Sequence, residues 1–188
     1  MRKLIVAEFM TLDGYIARAN GEMDFFNSNN DEEIFQEMIS TQLGWDTLLL
    51  GRVTYQTLVG FWPNSKNEKD PVAAFMNNVK KVVVSKTLTE VPWGKWNNTS
   101  LINKNIAEEI QKLKMQEGKD IAVLGSAELI QTLIHLQLVD EYSLLVYPIV
   151  LGNGKLLFKN IKAQYSLELL ECRAFKKSGI TKLHYAMK

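Results

Sequence analysis

Four clusters of residues able to bind anions or move protons stand where apolar runs of the chain end. Met10-Thr11-Leu12-Asp13-Gly14-Tyr15-Ile16-Ala17 follows the first run and Gly51-Arg52-Val53-Thr54-Tyr55 the second. Ser85-Lys86-Thr87 follows the third and Gly125-Ser126-Ala127-Glu128 the fifth. Gly51 lets backbone approach a ligand closely, Arg52 offers a forked cation, and Thr54 has a hydroxyl for a phosphate or for a helix cap. Gly125-Ser126 opens into an amphipathic helix, whose first N–H groups lack intrahelical partners and suit a diphosphate. Glu128 in that first turn complements the helix dipole but repels a phosphate placed too near it. Each cluster alone also reads as a solvated turn or a helix start; together, at successive strand ends, they describe an anion-binding crevice.

Ser85-Lys86-Thr87 adds two hydroxyls and an ammonium, a set suited to a terminal phosphate. If Arg52, Ser85 and Lys86 met one phosphate, charge-assisted bonds of roughly 1.5–3 kcal/mol each would favour NADP over NAD by orders of magnitude. Asp13 is the carboxylate nearest a strand end and a candidate acid, although an Asp-Gly pair commonly serves only to turn the chain. Asp24 and Glu8 are weaker acid candidates, and Phe61-Trp62-Pro63 suits one wall of a substrate cleft. His135 and His184 have no partner pattern. The chain contains no G-x-G-x-x-G, no G-x-x-x-x-G-K-[ST], no G-x-S-x-G and no His/Cys/Asp cluster at metal spacing.

Eight strand-like runs position these clusters: Leu4–Phe9, Thr47–Leu50, Lys81–Ser85, Ser100–Ile102, Asp120–Gly125, Tyr142–Leu151, Ser166–Phe175 and Ile180–Met187. Helical patterns fall between several of them. Asp31–Leu43 presents Ile34, Phe35, Met38 and Ile39 inward, and Pro71–Val79 is shorter. Ile106, Ile110 and Leu113 form a stripe with Asn103 as the expected cap and Gly118 as the stop. Leu129, Ile130, Leu133 and Ile134 form another. Alternating strands and helices imply a largely parallel sheet covered on both faces. The last two strands lack an intervening helix, so the sheet should end in an antiparallel hairpin and be mixed. Pro63–Asp70 and Val91–Asn98 are expected as surface loops.

A chain of 188 residues, 46% hydrophobic and 23% charged, fits one soluble domain spanning residues 1–188. Lys and Arg (22) nearly balance Asp and Glu (21), so no global field draws in nucleic acid or anionic lipid. Cys172 is the single cysteine. It is expected to be a buried, inert thiol, and its solitude suits a cytoplasmic setting. No apolar run approaches the ~20 residues that span a bilayer.

The stretches LIVAEFMTLDGYIA, LLLGRVTYQT, VVVSKTL, IAVLGSAELIQTLI and LVDEYSLLVYPIVLGNGKLLF, in that order, cover nearly the whole chain. They resemble the dihydrofolate reductase superfamily and, within it, the reductase domain at the C-terminus of the riboflavin-biosynthesis enzyme RibD, here expected as a stand-alone form. The resemblance implies an α/β dihydrofolate reductase-like three-layer fold, an eight-stranded mixed sheet flanked by helices, with NADPH across the strand ends. By motif, Ala7 and Ile16 would flank the nicotinamide, and Gly51, Arg52 and Thr54 would hold phosphates. Ser85, Lys86 and Thr87 would take the 2′-phosphate, and Gly125, Ser126, Ala127 and Glu128 would form the turn under the diphosphate. The family's usual Gly-Gly pair at that turn is Gly125-Ser126 here.

The implied reaction is hydride transfer like that of 5-amino-6-(5-phosphoribosylamino)uracil reductase, to a small heterocyclic or sugar-derived substrate. Phe9, Asp13 and Trp62 are candidates for the substrate side, and Asp13 or water for the proton. A true dihydrofolate reductase is disfavoured because no Trp-x-x-Pro segment accompanies Asn20–Phe26. A non-catalytic nucleotide-binding protein of the same fold stays open, because fold does not imply function. The family habit and the exposed final hairpin imply a homodimer.

Overall fold

The computed structural model describes residues 1–26, 31–65 and 70–188. Among these, β1 (Leu4–Thr11), β3 (Trp45–Gly51), β4 (Lys80–Val84), β5 (Thr99–Ile102) and β6 (Asp120–Val123) join β7 (Glu141–Tyr147), β9 (Leu167–Phe175) and β10 (Ile180–Met187) in one sheet. Its order is β5-β4-β3-β6-β1-β7-β10-β9. The first six strands run parallel, while β10 is antiparallel to both β7 and β9. All eight strands expected from the apolar runs are present, and the final hairpin gives the mixed edge.

Strand alternation assigns the two faces. Leu4 and Val6 of β1 and Leu49 of β3 pack with α4 (Ile106–Met115) and α5 (Ala127–His135). Leu48 and Leu50 point the other way, toward Tyr55 of α2 (Arg52–Phe61) and Met76 of α3 (Pro71–Asn78). Farther along that side, Ile34 of α1 (Glu32–Gln42) meets Leu145, Tyr147, Phe175 and Ile180. The result is helix, sheet, helix. Asp31 and Asp70 cap α1 and α3 by accepting the amides of Glu33 at 3.0 Å and Val72 at 2.9 Å.

Several expectations are corrected. The N-cap of α4 is Asn105 in the left-handed region with no side-chain bond, rather than Asn103, and α2 begins after Gly51, which leaves Thr54 inside its first turn. The sixth strand stops at Tyr147, before Pro148. Beyond it the chain folds back so that β8 (Lys155–Leu156) pairs with β2 (Tyr15–Ala17) in a small second sheet. The segment Val91–Asn98 is no mere surface loop: Trp93 is fully buried and donates to Asn77 at 2.9 Å. Cys172 is exposed, because β9 is the last strand of the sheet and its residues from Glu168 to Ala174 are open to solvent. Part of the expected loop Pro63–Asp70 lies outside the described residues. Among the described residues no helix is long and apolar enough to cross a membrane, and no group of three or more His, Cys, Asp or Glu could hold a metal.

Candidate functional site at the strand ends

The sheet creates one natural crevice. After β1 the chain leaves a place that β6 later fills, so β3 and β1 diverge around β6 and their carboxyl ends open a gap. A cavity of about 820 Å³ lies there, lined by residues from the ends of β1, β3, β4 and β6. It contains Ala7, Phe9, Ile16, Trp62 and all ten residues expected at the three anion-binding turns. The helices α2 and α5 both begin at this wall, so two sets of free N–H groups and two positive dipole ends converge on it.

A chain of hydrogen bonds ties the two turns together. The Gly51 amide donates to the Ser126 hydroxyl at 2.9 Å, the Ser126 and Thr54 hydroxyls share a bond of 2.7 Å, and Thr54 donates to the Gly125 carbonyl at 2.9 Å. The close approach explains Gly51: a Cβ there would stand 2.7 Å from the Ser126 hydroxyl. Gly125 has φ +62°, a conformation that glycine adopts without strain. No cis peptide bond occurs among the described residues, so Gly125-Ser126 is trans. The hydroxyls of Thr54 and Ser126 therefore serve the scaffold. The ligand-facing donors that remain are backbone amides and the Arg52 guanidinium, whose bond is to Gln56 at 3.1 Å on its own helix.

Ser85 is committed in the same way. Its buried hydroxyl accepts from the amides of Thr87 at 3.2 Å and Leu88 at 3.1 Å, closing a tight turn that lifts Lys86 outward. Lys86 is exposed on the cavity rim.

Asp13 takes a different place. Its carboxylate accepts from Thr11 at 2.5 Å and from the amides of Leu151 (3.0 and 3.1 Å) and Gly152 (2.8 Å). It is not among the cavity-lining residues. The Thr11 hydroxyl, helped by the Gly152 and Leu151 amides, holds its carboxyl below the usual range against the opposing effect of burial. Asp13 clasps the Pro148–Lys155 segment, which carries Lys155 to the cavity mouth. Asp24 pairs with Arg18 at 2.6 Å on the surface.

At the other end, α1 roofs a second lobe that sequence reasoning missed. Ala7 and Phe9 of β1 share a face with Ser143 and Leu145 of β7 and with Lys182, the partner of Leu145 on β10. Glu37, Met38, Thr41 and Gln42 of α1 close it from above. Glu37 meets Lys182 at 2.6 Å and Arg173 at 2.7 Å, and Lys182 also meets Glu171 at 2.8 Å. Burial pushes the Glu37 carboxyl up, but Lys182, Arg173 and Thr41 outweigh it and hold it below its ordinary range. For Lys182 burial lowers its affinity for a proton, and Glu171 and Glu37 more than restore it. Both groups stay charged at neutral pH, an acceptor and a donor side by side at the end of an apolar lobe.

The comparisons agree with this geometry. The chain is 37% identical over 187 residues to "Uncharacterized protein YyaP" of Bacillus subtilis (strain 168), covering 98% of this chain and 94% of that protein. The crystal structure of a "Putative riboflavin biosynthesis protein" from Shewanella sp. PV-4 superposes with a TM-score of 0.76 at 26% identity, over 99% of both chains. Dihydrofolate reductase from Enterococcus faecalis, complexed with NADP(H), shares the fold at 10% identity and a TM-score of 0.65, over 99% of this chain and 96% of that one. The profile of the RibD C-terminal domain matches residues 2–180. This chain belongs to the RibD C-terminal domain family, with the mixed α/β sheet of a dihydrofolate reductase-like fold.

Proposed function

We propose that the protein is an NADPH-dependent reductase of a small planar heterocyclic or sugar-derived substrate, in the manner of the pyrimidine reductase of riboflavin biosynthesis. The observation that carries this reading is the convergence of two helix N-termini, Arg52 and Lys86 on one wall of a cavity whose other end is a separate, differently charged lobe.

The residues fit a dinucleotide. The first turns of α2 and α5 offer amides to the diphosphate, with Arg52 beside them. Lys86 and Thr87 suit the 2′-phosphate, which NADP has and NAD lacks. Ala7 is small and Ile16 apolar, and together they would let a nicotinamide ring lie against β1 where the two lobes meet. When bound, the nicotinamide supplies the hydride. The protein's own work is to bind, orient and exclude water. Phe9, Met38 and Leu145 give a substrate ring an apolar bed, while the Glu37 carboxylate accepts from its N–H groups and the Lys182 ammonium donates to a carbonyl. Because Glu37 and Asp13 are both held ionised, neither is a ready proton donor, and solvent at the cavity mouth near Lys155 is the nearer proton source. The Glu37–Lys182 pair also makes a folate-type reaction the weaker alternative, since an acid fixed between two cations is poorly placed to deliver a proton.

Titration of NADPH and NADH by fluorescence tests the reading. The expected outcome is saturable binding with a preference for NADPH, which Lys86→Ala reduces by about tenfold, the worth of one charge-assisted contact. Failure of the wild-type protein to bind NADPH sinks the proposal. Turnover assays with pyrimidine and folate substrates then divide the two chemistries.

A further inference from the structure

Glu8 is a carboxyl group buried in the wall of this cavity. Alternation along β1 turns it, like Leu4 and Val6, toward the face that carries α5, away from the lobe that Ala7 and Phe9 line. It is 5% exposed and accepts a hydrogen bond from the Gly125 amide. The Ser126 amide also favours its charged form. The Gly125 and Ser126 amides of the β6–α5 turn are thus drawn inward, onto a side chain of the central strand, which leaves the first-turn amides of α5 to an anion. Since Ser126 in turn holds Gly51 and Thr54, the carboxyl stands at the root of the network that joins the two turns.

Among the described residues no cation offsets a charge on Glu8. The groups that set its proton affinity are its burial, which raises it, and the Gly125 and Ser126 amides, which lower it, the balance being pushed up to about 8. Of the charged residues on the elements packed around it, Arg52 on α2 bonds Gln56, while Glu128 lies in the first turn of α5. Neither alters it. Lys86 follows β4 on the far rim, and the neighbouring strand β7 offers Leu144 opposite Glu8.

We infer that Glu8 is the positioning residue of the anion-binding turn, and that a diphosphate docking on that turn is bound together with a proton taken up by Glu8. A charged Glu8 would place a second negative charge beneath the ligand in a poorly solvated site, where like charges repel far more strongly than in water. A neutral Glu8 keeps its carbonyl-type acceptor for the Gly125 amide and leaves the helix dipole to the ligand. The carboxyl accepts the proton from solvent, no bond is made or broken in the ligand, and no other reactant is needed. The inference rests on the dinucleotide reading and adds to it a linkage between cofactor affinity and pH.

Two measurements test it. Calorimetric titration of the wild-type protein with NADPH at pH 8.5, in buffers of different ionisation enthalpy, should report uptake of about half to one proton per site. Across pH 7 to 9 the dissociation constant of the wild type, taken as a ratio to that of Glu8→Gln, should rise about tenfold, because glutamine keeps the acceptor but cannot ionise. The ratio removes the titrations that both proteins share, including that of the 2′-phosphate. Binding with no proton uptake, or a ratio that is flat with pH, overturns the linkage and leaves the cofactor reading intact. No NADPH binding by the wild type at any pH defeats the cofactor reading and the linkage with it. If Glu8→Gln does not fold, the calorimetric result on the wild type decides alone.

Discussion

Two buried ionisable residues pull the pH dependence of stability in opposite directions. Lys81 on β4 is completely buried, donates to the Asn77 carbonyl at 3.0 Å and lies 4.3 Å from the centroid of the Trp93 ring. The ring favours the cation, yet burial wins and brings the group down to about 7. In the unfolded chain it titrates near 10.4. Between those values the unfolded state holds more protons, so this residue makes stability rise with pH and contributes no slope below about 7. Glu8 is the mirror case. Raised from an ordinary 4.5 to about 8, it keeps a proton in the folded state that the unfolded state has lost. Its contribution is fully present below the unfolded value and disappears as pH climbs through about 8. Each limb has a slope of up to about 1.4 kcal/mol per pH unit. Urea unfolding should therefore find a stability minimum near pH 7 to 8. Lys81→Met should erase the rising limb and Glu8→Gln the falling one; profiles unchanged by either substitution would show that these groups titrate normally.

At the scale of elements, the clasp between the β1–β2 turn and the segment after β7 decides whether Lys155 reaches the cavity. Asp13 holds the amides of Leu151 and Gly152, the Gly14 carbonyl accepts from Leu157 at 3.0 Å, and the Leu12 amide donates to Ile149 at 2.9 Å. Asp13→Ala should lower the melting temperature and speed proteolysis within residues 149–154, with kcat and KM both worsened. The stabilisation from Asp13 is present above its unfolded value and lost as pH falls through its depressed folded value. An intact melting temperature with kcat alone abolished would instead return Asp13 to the chemistry.

The strands and the anion-binding turns were legible because short runs such as Val82-Val83-Val84 and Ile121-Ala122-Val123 are dense in β-branched residues and end in Ser, Lys or Gly. The Glu37–Lys182 pair was not. One member is among several acids on α1, the other an alternating polar residue of β10, and only the register that sets Lys182 beside Leu145 brings them together. Cys172 misled for a related reason: an apolar run marks a strand but does not say whether the strand is last in the sheet. The segment Val91–Asn98 reads as a surface loop because it looks polar in sequence, while the burial of Trp93 within it depends on Asn77 and Lys81 across two elements.

For the whole molecule, the open feature is the edge formed by β9. The strand pairs only with β10, and its residues from Glu168 to Ala174 are exposed. Leu169 and Leu170 are about half exposed, at 53% and 49%, beside a register shift that leaves Leu170 without a partner on β10. Apart from that irregularity in register, neither a proline nor an inward-pointing lysine blunts this edge, and an open edge of nine residues invites another strand. A second copy is the expected occupant, because the sequence complements itself across a twofold axis between Leu170 and Glu171. Antiparallel pairing about that point sets Glu168 opposite Arg173 and Leu169 opposite Cys172, and joins two eight-stranded sheets into one. Arg173 is already bonded to Glu33 and Glu37, so the same contact would stiffen the roof of the substrate lobe. Light scattering should report a dimer at micromolar concentration. Leu169→Lys should shift the mass toward monomer with unchanged far-ultraviolet circular dichroism, while raising KM for the substrate more than the dissociation constant for NADPH. A wild-type monomer at these concentrations, or a dimer indifferent to Leu169→Lys and Leu170→Lys, would place the interface elsewhere.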